Sequence, residues 1–314
     1  MTIRIAILGV GAMGCLFGAR LSPHADVTLI GQWPEQLRTL AAAPLRYVHP
    51  DGHEDKVRLR ALSDPRQVGQ VDLALIVTKA GKTAAAAQAT AEILAPNGLA
   101  ITLQNGLGNE AVLADVLGAD RVTVGVTTQG ASTGGEPGVV IDGGAGLTVL
   151  ATHPSIEARV RAVAALFEQG GLGVDVAIDV RALVWGKLAV NAAINPLTAL
   201  LRVPNGALAE SAWARTLMEQ VADEVAAVAA AQGITLPMDT AAQVCDVARR
   251  TAANRSSMLQ DVLRGVETEI DAISGAIVRA GDALHVPVPV NRLLYTLVKA
   301  LETAYPIQIR ETEA

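Results

Sequence analysis

Aromatic residues are scarce in this 314-residue chain: three Trp, three Tyr and two Phe make up 3% of it, so any core must rest on Ala, Val, Leu and Ile. Cysteine is nearly absent. Cys15 and Cys245 are far apart and belong to no CxxC or Cys/His cluster. That excludes a disulfide framework, predicts no metal site, and makes a reducing cytoplasm the expected compartment. Positive charge is in deficit, with 25 Lys+Arg against 31 Asp+Glu, a net charge of −6 and a pI near 5.4. Without a basic face or a Lys/Arg block, the chain is not expected to bind nucleic acid. It also lacks the roughly 18 consecutive apolar residues that a membrane span needs; alanine and glycine inflate the mean hydropathy of +0.35.

What is present describes a globular chain. Hydrophobic residues reach 51% and charged ones only 18%, which excludes disorder. At roughly 100–200 residues per domain the length implies about two domains. The uncharged stretch from Ile5 to Ala19 has the look of a targeting segment, but its glycines at 9, 11, 14 and 18 have a better explanation below.

The first half alternates short apolar runs with helical stretches. The runs are Ile3–Leu8, Val27–Ile30, Leu73–Val77, Ile101–Leu103 and Val122–Val126, and the helices include Ala84–Leu94 and Glu110–Leu117. Runs apolar on both faces suit a parallel sheet covered by helices. Asp51-Gly52 predicts a hairpin between Leu45–Val48 and Val57–Leu59. The later Val139–Ile141 and Leu147–Leu150 are expected as hairpins at the end of the sheet. From about residue 181 apolar residues recur at helical spacing, through Leu183–Leu201, Leu208–Ala231, Met238–Arg250, Glu269–Ala280 and Asn291–Ala304. Breaks are expected at 204–206, 232–233, 236–237 and 286–289. The chain thus reads as an α/β domain over residues 1–180 followed by an all-α domain over 181–314.

Gly9-Val10-Gly11-Ala12-Met13-Gly14 follows the first strand directly and opens a helix. Glycines there permit a tight turn, close approach to a pyrophosphate and close helix–strand packing, while the helix N-terminus offers free N–H groups. The residue that would read the adenosine ribose is less informative. An acid after the second strand indicates NAD and an arginine NADP; here the chain runs Ile30-Gly31-Gln32. Asp26 stands at the wrong end of the strand, and Arg38 fits a solvated helix position better than a phosphate contact.

Ligands of open parallel sheets bind beyond the carboxyl ends of the strands. Two polar groups lie there, Thr78-Lys79 and Gln104-Asn105-Gly106. Lys79 fits either a cleft or an exposed surface, and Asn105-Gly106 fits either a ligand contact or a plain turn. Lys187, Asn191 and Asn195, four apart, share one face of an otherwise apolar helix. A buried stripe of one lysine and two amides needs partners, because each unsatisfied group costs roughly 1–3 kcal/mol. A ligand carrying carboxylate and oxygen groups would supply them, and a partly buried lysine is acidic enough to protonate a developing alkoxide. Downstream, Ser257 with Gln260 matches a capping box, and Glu269 a first-turn acid.

Together these segments resemble the ketopantoate reductases (2-dehydropantoate 2-reductases): GVGAMG at 9–14, VTKA at 77–80, LQNGLG at 103–108, WGKLAVNAAINPLTAL at 185–200, PNG at 204–206, SSMLQD at 256–261 and TEID at 268–271. The resemblance spans almost the whole chain. It implies a Rossmann-like domain, a helical substrate domain and an active site in the cleft between them. It implies Lys187 as general acid, tuned or held by Glu269, with Asn191, Asn195 and Ser257 on substrate and Asn205 shaping that half of the site. On the cofactor side it implies the Gly9–Gly14 loop, Gln32, Lys79 and Asn105. Members of the family usually carry an arginine for the NADPH 2′-phosphate where this chain has Gln32. NADPH is the expected cofactor, with NADH the alternative. The expected reaction is reduction of 2-dehydropantoate in pantothenate and coenzyme A synthesis. The alternatives are reduction of another branched or aromatic 2-keto acid, or a non-catalytic dinucleotide sensor. The alanine-rich C-terminal helices fit a homodimer interface or an internal core equally.

Overall fold

The computed structural model describes residues 2–236 and 239–307 and divides into two compact units. One comprises residues 1–104 and 108–180, the other residues 105–107 and 181–314.

The first unit begins β1 (Arg4–Leu8), α1 (Ala12–Leu21), β2 (Asp26–Ile30), α2 (Pro34–Ala42), β3 (Leu45–Val48), β4 (Glu54–Val57) and β5 (Arg60–Leu62). It continues β6 (Val71–Ile76), α3 (Thr83–Ile93), β7 (Leu94–Thr102), α4 (Asn109–Leu117), β8 (Val122–Thr127), β9 (Ala131–Ser132) and β10 (Val139–Asp142). It ends with β11 (Leu147–Ala151), α5 (Glu157–Gln169) and β12 (Gly173–Ala177). Eight strands form the main sheet in the order β12-β11-β8-β7-β6-β1-β2-β5, parallel except where β11 meets β8. Alternation along β1 sends Ile5 and Ile7 into a core with α1 and α5, and Ala6 and Leu8 into a second core with α3 and α4. Both faces are therefore apolar, which is why the strands read as continuous hydrophobic runs.

Several expectations are corrected here. Val139–Ile141 does not extend the main sheet: β10 belongs to a separate four-stranded sheet, β4-β3-β10-β9, pairing in parallel with β3. The hairpin at Asp51-Gly52 forms, but its return strand is the exposed Glu54–Val57, not Val57–Leu59. Strands β5 and β12 and helix α5 had no expectation. β5 is short and partly polar, and the helix α5 has low mean apolarity.

The second unit holds α6 (Arg181–Leu201), α7 (Asn205–Glu210), α8 (Ala212–Ala231), α9 (Thr240–Arg250), α10 (Ser257–Arg264), α11 (Ser274–Leu284) and α12 (Pro289–Ala304). Its core gathers the apolar faces of these helices around Leu188, Ala192, Met218, Val225 and Ile277. The single helix expected over 208–231 is two, because the Ser211 hydroxyl accepts from the Ala214 N–H at 3.3 Å and starts α8 afresh. Asn205 and Gly206 begin α7, so that break is a helix start and Pro204 its cap. Glu269 lies in a turn before α11 and is not a first-turn acid. Pro237 and Met238, at the expected break and helix start, lie outside the described residues. Among the described residues no helix is long and apolar enough to cross a membrane.

Candidate active site

In the first unit the glycine loop sits where β1 gives way to α1. Gly11 caps α1 with no side-chain bond, and a Cβ there would meet nothing within 4 Å, so the approach to the helix N-terminus is open. At Gly14 a Cβ would lie 1.9 Å from the Gly9 carbonyl oxygen, so only glycine allows this contact of turn and helix. Val10 is buried beneath the loop, with Ala12 and Met13 half-buried on the first turn. An open, uncapped helix end with a glycine cradle fits the pyrophosphate of a dinucleotide.

At the neighbouring strand ends, Gln32 is exposed and its Nε2 donates to the Ser63 carbonyl at 2.8 Å. Parallel pairing of β2 with β5 brings these two ends together. Arg38 is exposed on α2 and pairs with Glu35 at 3.2 Å. Lys79 is exposed just beyond β6. Gln104, at the end of β7, was not singled out by sequence. Its Nε2 lies 3.0 Å from the Thr78 carbonyl and 3.0 Å from the Thr83 hydroxyl, and its Oε1 accepts from Thr102 at 3.0 Å. The threonines at the ends of β6 and β7 were the available signal.

In the second unit α6 carries Lys187, Asn191 and Asn195 along one face, with Lys187 and Asn191 half-buried and Asn195 buried. Between residues 185 and 199 leucine, isoleucine and alanine bury most of the other positions of α6, so the polar stripe is held on a rigid element. Burial lowers the Lys187 ammonium from its ordinary 10.5 to about 8, with the Glu269 carboxylate opposing that fall. Glu269 is only 8% exposed, and its Oε2 accepts from the Asn105 amide at 3.3 Å. The structure thus brings Lys187, Glu269 and Asn105 into one electrostatic group, from three segments far apart in sequence.

Ser257 is exposed at the first position of α10. The capping role expected of it belongs to Ser256, whose hydroxyl accepts from the Leu259 N–H at 3.0 Å. Ser256 also bonds Thr198 of α6 at 2.6 Å, tying the start of α10 to the helix of the polar stripe. Asn205 is buried. Its amide donates to the Thr251 hydroxyl at 2.9 Å and its N–H to the Asn254 carbonyl at 3.0 Å, which holds α7 to the turn after α9. No group of metal-ligating side chains gathers among the described residues.

A parallel sheet whose first turn is a glycine cradle, in one chain with a helical unit bearing a half-buried, acidified lysine, defines the class of Rossmann-like oxidoreductases. The sequence patterns described as Ketopantoate reductase PanE/ApbA and its C terminal match residues 5–155 and 179–302. The chain belongs to the ketopantoate reductase family. A 2-dehydropantoate 2-reductase of Halobacterium salinarum is 39% identical over 299 residues, covering 95% of this chain and 98% of that one. A PanE/ApbA family ketopantoate reductase from Ralstonia eutropha superposes with a TM-score of 0.89 at 35% identity, covering 97% of this chain and 100% of that one. A D-mandelate dehydrogenase solved with NADH and anilino(oxo)acetate superposes with a TM-score of 0.90 at 27% identity, covering 98% and 100%.

Proposed function

We propose that this chain reduces the ketone of 2-dehydropantoate to the alcohol of pantoate with NADPH, a step of pantothenate and coenzyme A synthesis. The observation that carries the chemistry is the Lys187 ammonium, brought by burial to about 8 and supported there by Glu269. Residues 1–180 hold the cofactor and residues 181–314 supply the groups that act on substrate. The Gly9–Gly14 loop and the free N–H groups of α1 take the pyrophosphate, Gln32 meets the adenosine ribose, and Lys79 lines the nicotinamide side. The bound nicotinamide supplies the hydride. As negative charge develops on the ketone oxygen, Lys187 Nζ stabilises it and passes its proton to that oxygen. A lysine titrating near 8 is protonated at neutral pH yet acidic enough to give the proton up. Asn191 and Asn195 bind the substrate's hydroxyl and carbonyl groups. Ser257, at the amino end of α10, takes the carboxylate, where the helix dipole favours an anion. Asn105 orients Glu269, and Asn205 supports the site through the 251–254 turn.

Turnover of NADPH and NADH with 2-dehydropantoate, followed by nicotinamide absorbance, tests this reading; faster reaction with NADPH is expected. Lys187→Ala should cut kcat at least about 10²-fold with cofactor Kd nearly unchanged. Near-normal turnover in that variant removes Lys187 from the mechanism.

One observation favours a second reading. Gln32 commits an amide N–H to the Ser63 carbonyl, and it carries no charge to pair with a 2′-phosphate. Together with the likeness to the NADH-bound D-mandelate dehydrogenase, this supports NADH-dependent reduction of another branched or aromatic 2-keto acid. A panel of such acids with NADH separates the two readings.

A further inference from the structure

The turn that carries Glu269 is held by a segment far from it in sequence. Its own bonds close it: the Glu269 carbonyl accepts from Ala272 N at 3.0 Å and from Ile273 N at 3.1 Å. Residues 105–107, grouped with the second unit, lie along this turn. Leu107 N donates to the Ala272 carbonyl at 3.2 Å, and Asn105 Nδ2 donates to Glu269 Oε2 at 3.3 Å. Gly106 stands between these two contacts with a φ of +89°, in the left-handed region. A Cβ there would lie 2.3 Å from the Ala272 carbonyl oxygen and 2.7 Å from the Ala272 Cβ. Even a methyl group would force the segment and the turn apart.

We infer that Gly106 is a positioning residue: its bare backbone lets residues 105–107 seat on Ala272 and so hold the Asn105 amide on the Glu269 carboxylate. The inference rests on the reading of Lys187 as proton donor and extends it to a residue that acts through Glu269. A carboxylate as buried as Glu269 is costly without hydrogen-bond donors, and the Asn105 amide is one of them. Held in place, that carboxylate lifts Lys187 against its burial. The other buried or half-buried charged groups on the helices packed against α6 have local partners. Asp261 pairs with Arg264, Arg215 donates to the Ala209 carbonyl, Glu224 caps α12, and Glu302 pairs with Lys299.

Gly106→Ala tests the inference. The acidity of Lys187 is read without turnover, from the pH dependence of its acylation in the intact protein, quantified by mass spectrometry of the peptide that bears it. The parent chain should show a midpoint of about 8. Gly106→Ala should lower it by at least about 0.3 pH unit, less than removal of the charge would, because the Glu269 carboxylate keeps its charge but is no longer held in place beside Lys187. An unchanged or raised midpoint overturns the inference. Because this readout does not depend on activity, a dispensable Lys187 in the turnover assay and an unmoved midpoint are separate failures. If the Gly106→Ala chain does not fold, Asn105→Ala keeps the backbone contact and removes only the amide. It should move the midpoint in the same direction, and no movement there overturns the inference as well.

Discussion

Glu269→Gln isolates the charge that supports Lys187. The amide has nearly the shape of the carboxylate, and its Oε1 can still accept from Asn105, so chiefly the charge is lost. In the parent chain Lys187 titrates at about 8, which leaves roughly three-quarters of it protonated at pH 7.5. An opposite charge within a few ångströms typically holds an ammonium up by about 1–3 pH units. Without it Lys187 should titrate between about 5 and 7, and the protonated share at pH 7.5 should fall to roughly a quarter or less. Lys187 acts as an acid, so the active form exists below its folded-state pKa and is lost as pH rises through it. The kcat profile should therefore lose its alkaline limb earlier, with at least about a threefold loss at pH 7.5 and partial recovery toward pH 6. The assay is kcat against pH at saturating cofactor and substrate. An alkaline limb that stays near 8, or a loss uniform across the pH range, would refute the argument that Glu269 works through the charge of Lys187.

Three further outcomes are expected. Gln32→Arg should strengthen NADPH relative to NADH, because a guanidinium would replace a neutral amide at the end of β2; an unchanged ratio of dissociation constants assigns the 2′-phosphate to another residue. Gly14→Ala places a methyl 1.9 Å from the Gly9 carbonyl oxygen, so the loop must open and cofactor Kd should rise at least about tenfold, near 1.4 kcal/mol, in a fluorescence titration. An unchanged Kd would show that the cradle does not hold the dinucleotide. Glu224→Ala removes the carboxylate that accepts from Val290 N, Asn291 N and Asn291 Nδ2 at 2.8–2.9 Å, so urea unfolding should show a loss of about 2 kcal/mol; a loss below about 0.5 kcal/mol contradicts the capping role.

Legibility from sequence followed the range of the interaction. The Ile3–Leu8 run and the loop after it lie close to β1 and α1, because strand, turn and helix are decided within twenty residues. The four-stranded sheet was not legible: its central pairing joins Arg46 to Val139, and nothing near either residue announces the other. Ser211 and Ser256 show a subtler limit. Helical periodicity runs on through Ser211, and either of two adjacent serines satisfies the capping pattern at α10, so choosing between them needed the backbone and the Thr198 contact. Gln104 was visible only as one polar residue among several; its network gathers threonines from two strand ends and a helix start.

The alignment of Lys187, Asn191 and Asn195 on one face of a helix follows from the sequence by itself, since 3.6 residues per turn leaves no other arrangement. So does the glycine cradle, whose geometry is set by the absence of side chains. The resemblance carried by the sequence names Glu269 as the acid beside Lys187, but the tertiary structure alone decided what holds that acid in place and how far burial acts on the lysine. Asn105 reaches Glu269 across 164 residues of chain, and burial together with that carboxylate brings the lysine to about 8. Spacing along a chain determines which side chains share a face, whereas desolvation and charge depend on everything folded around them.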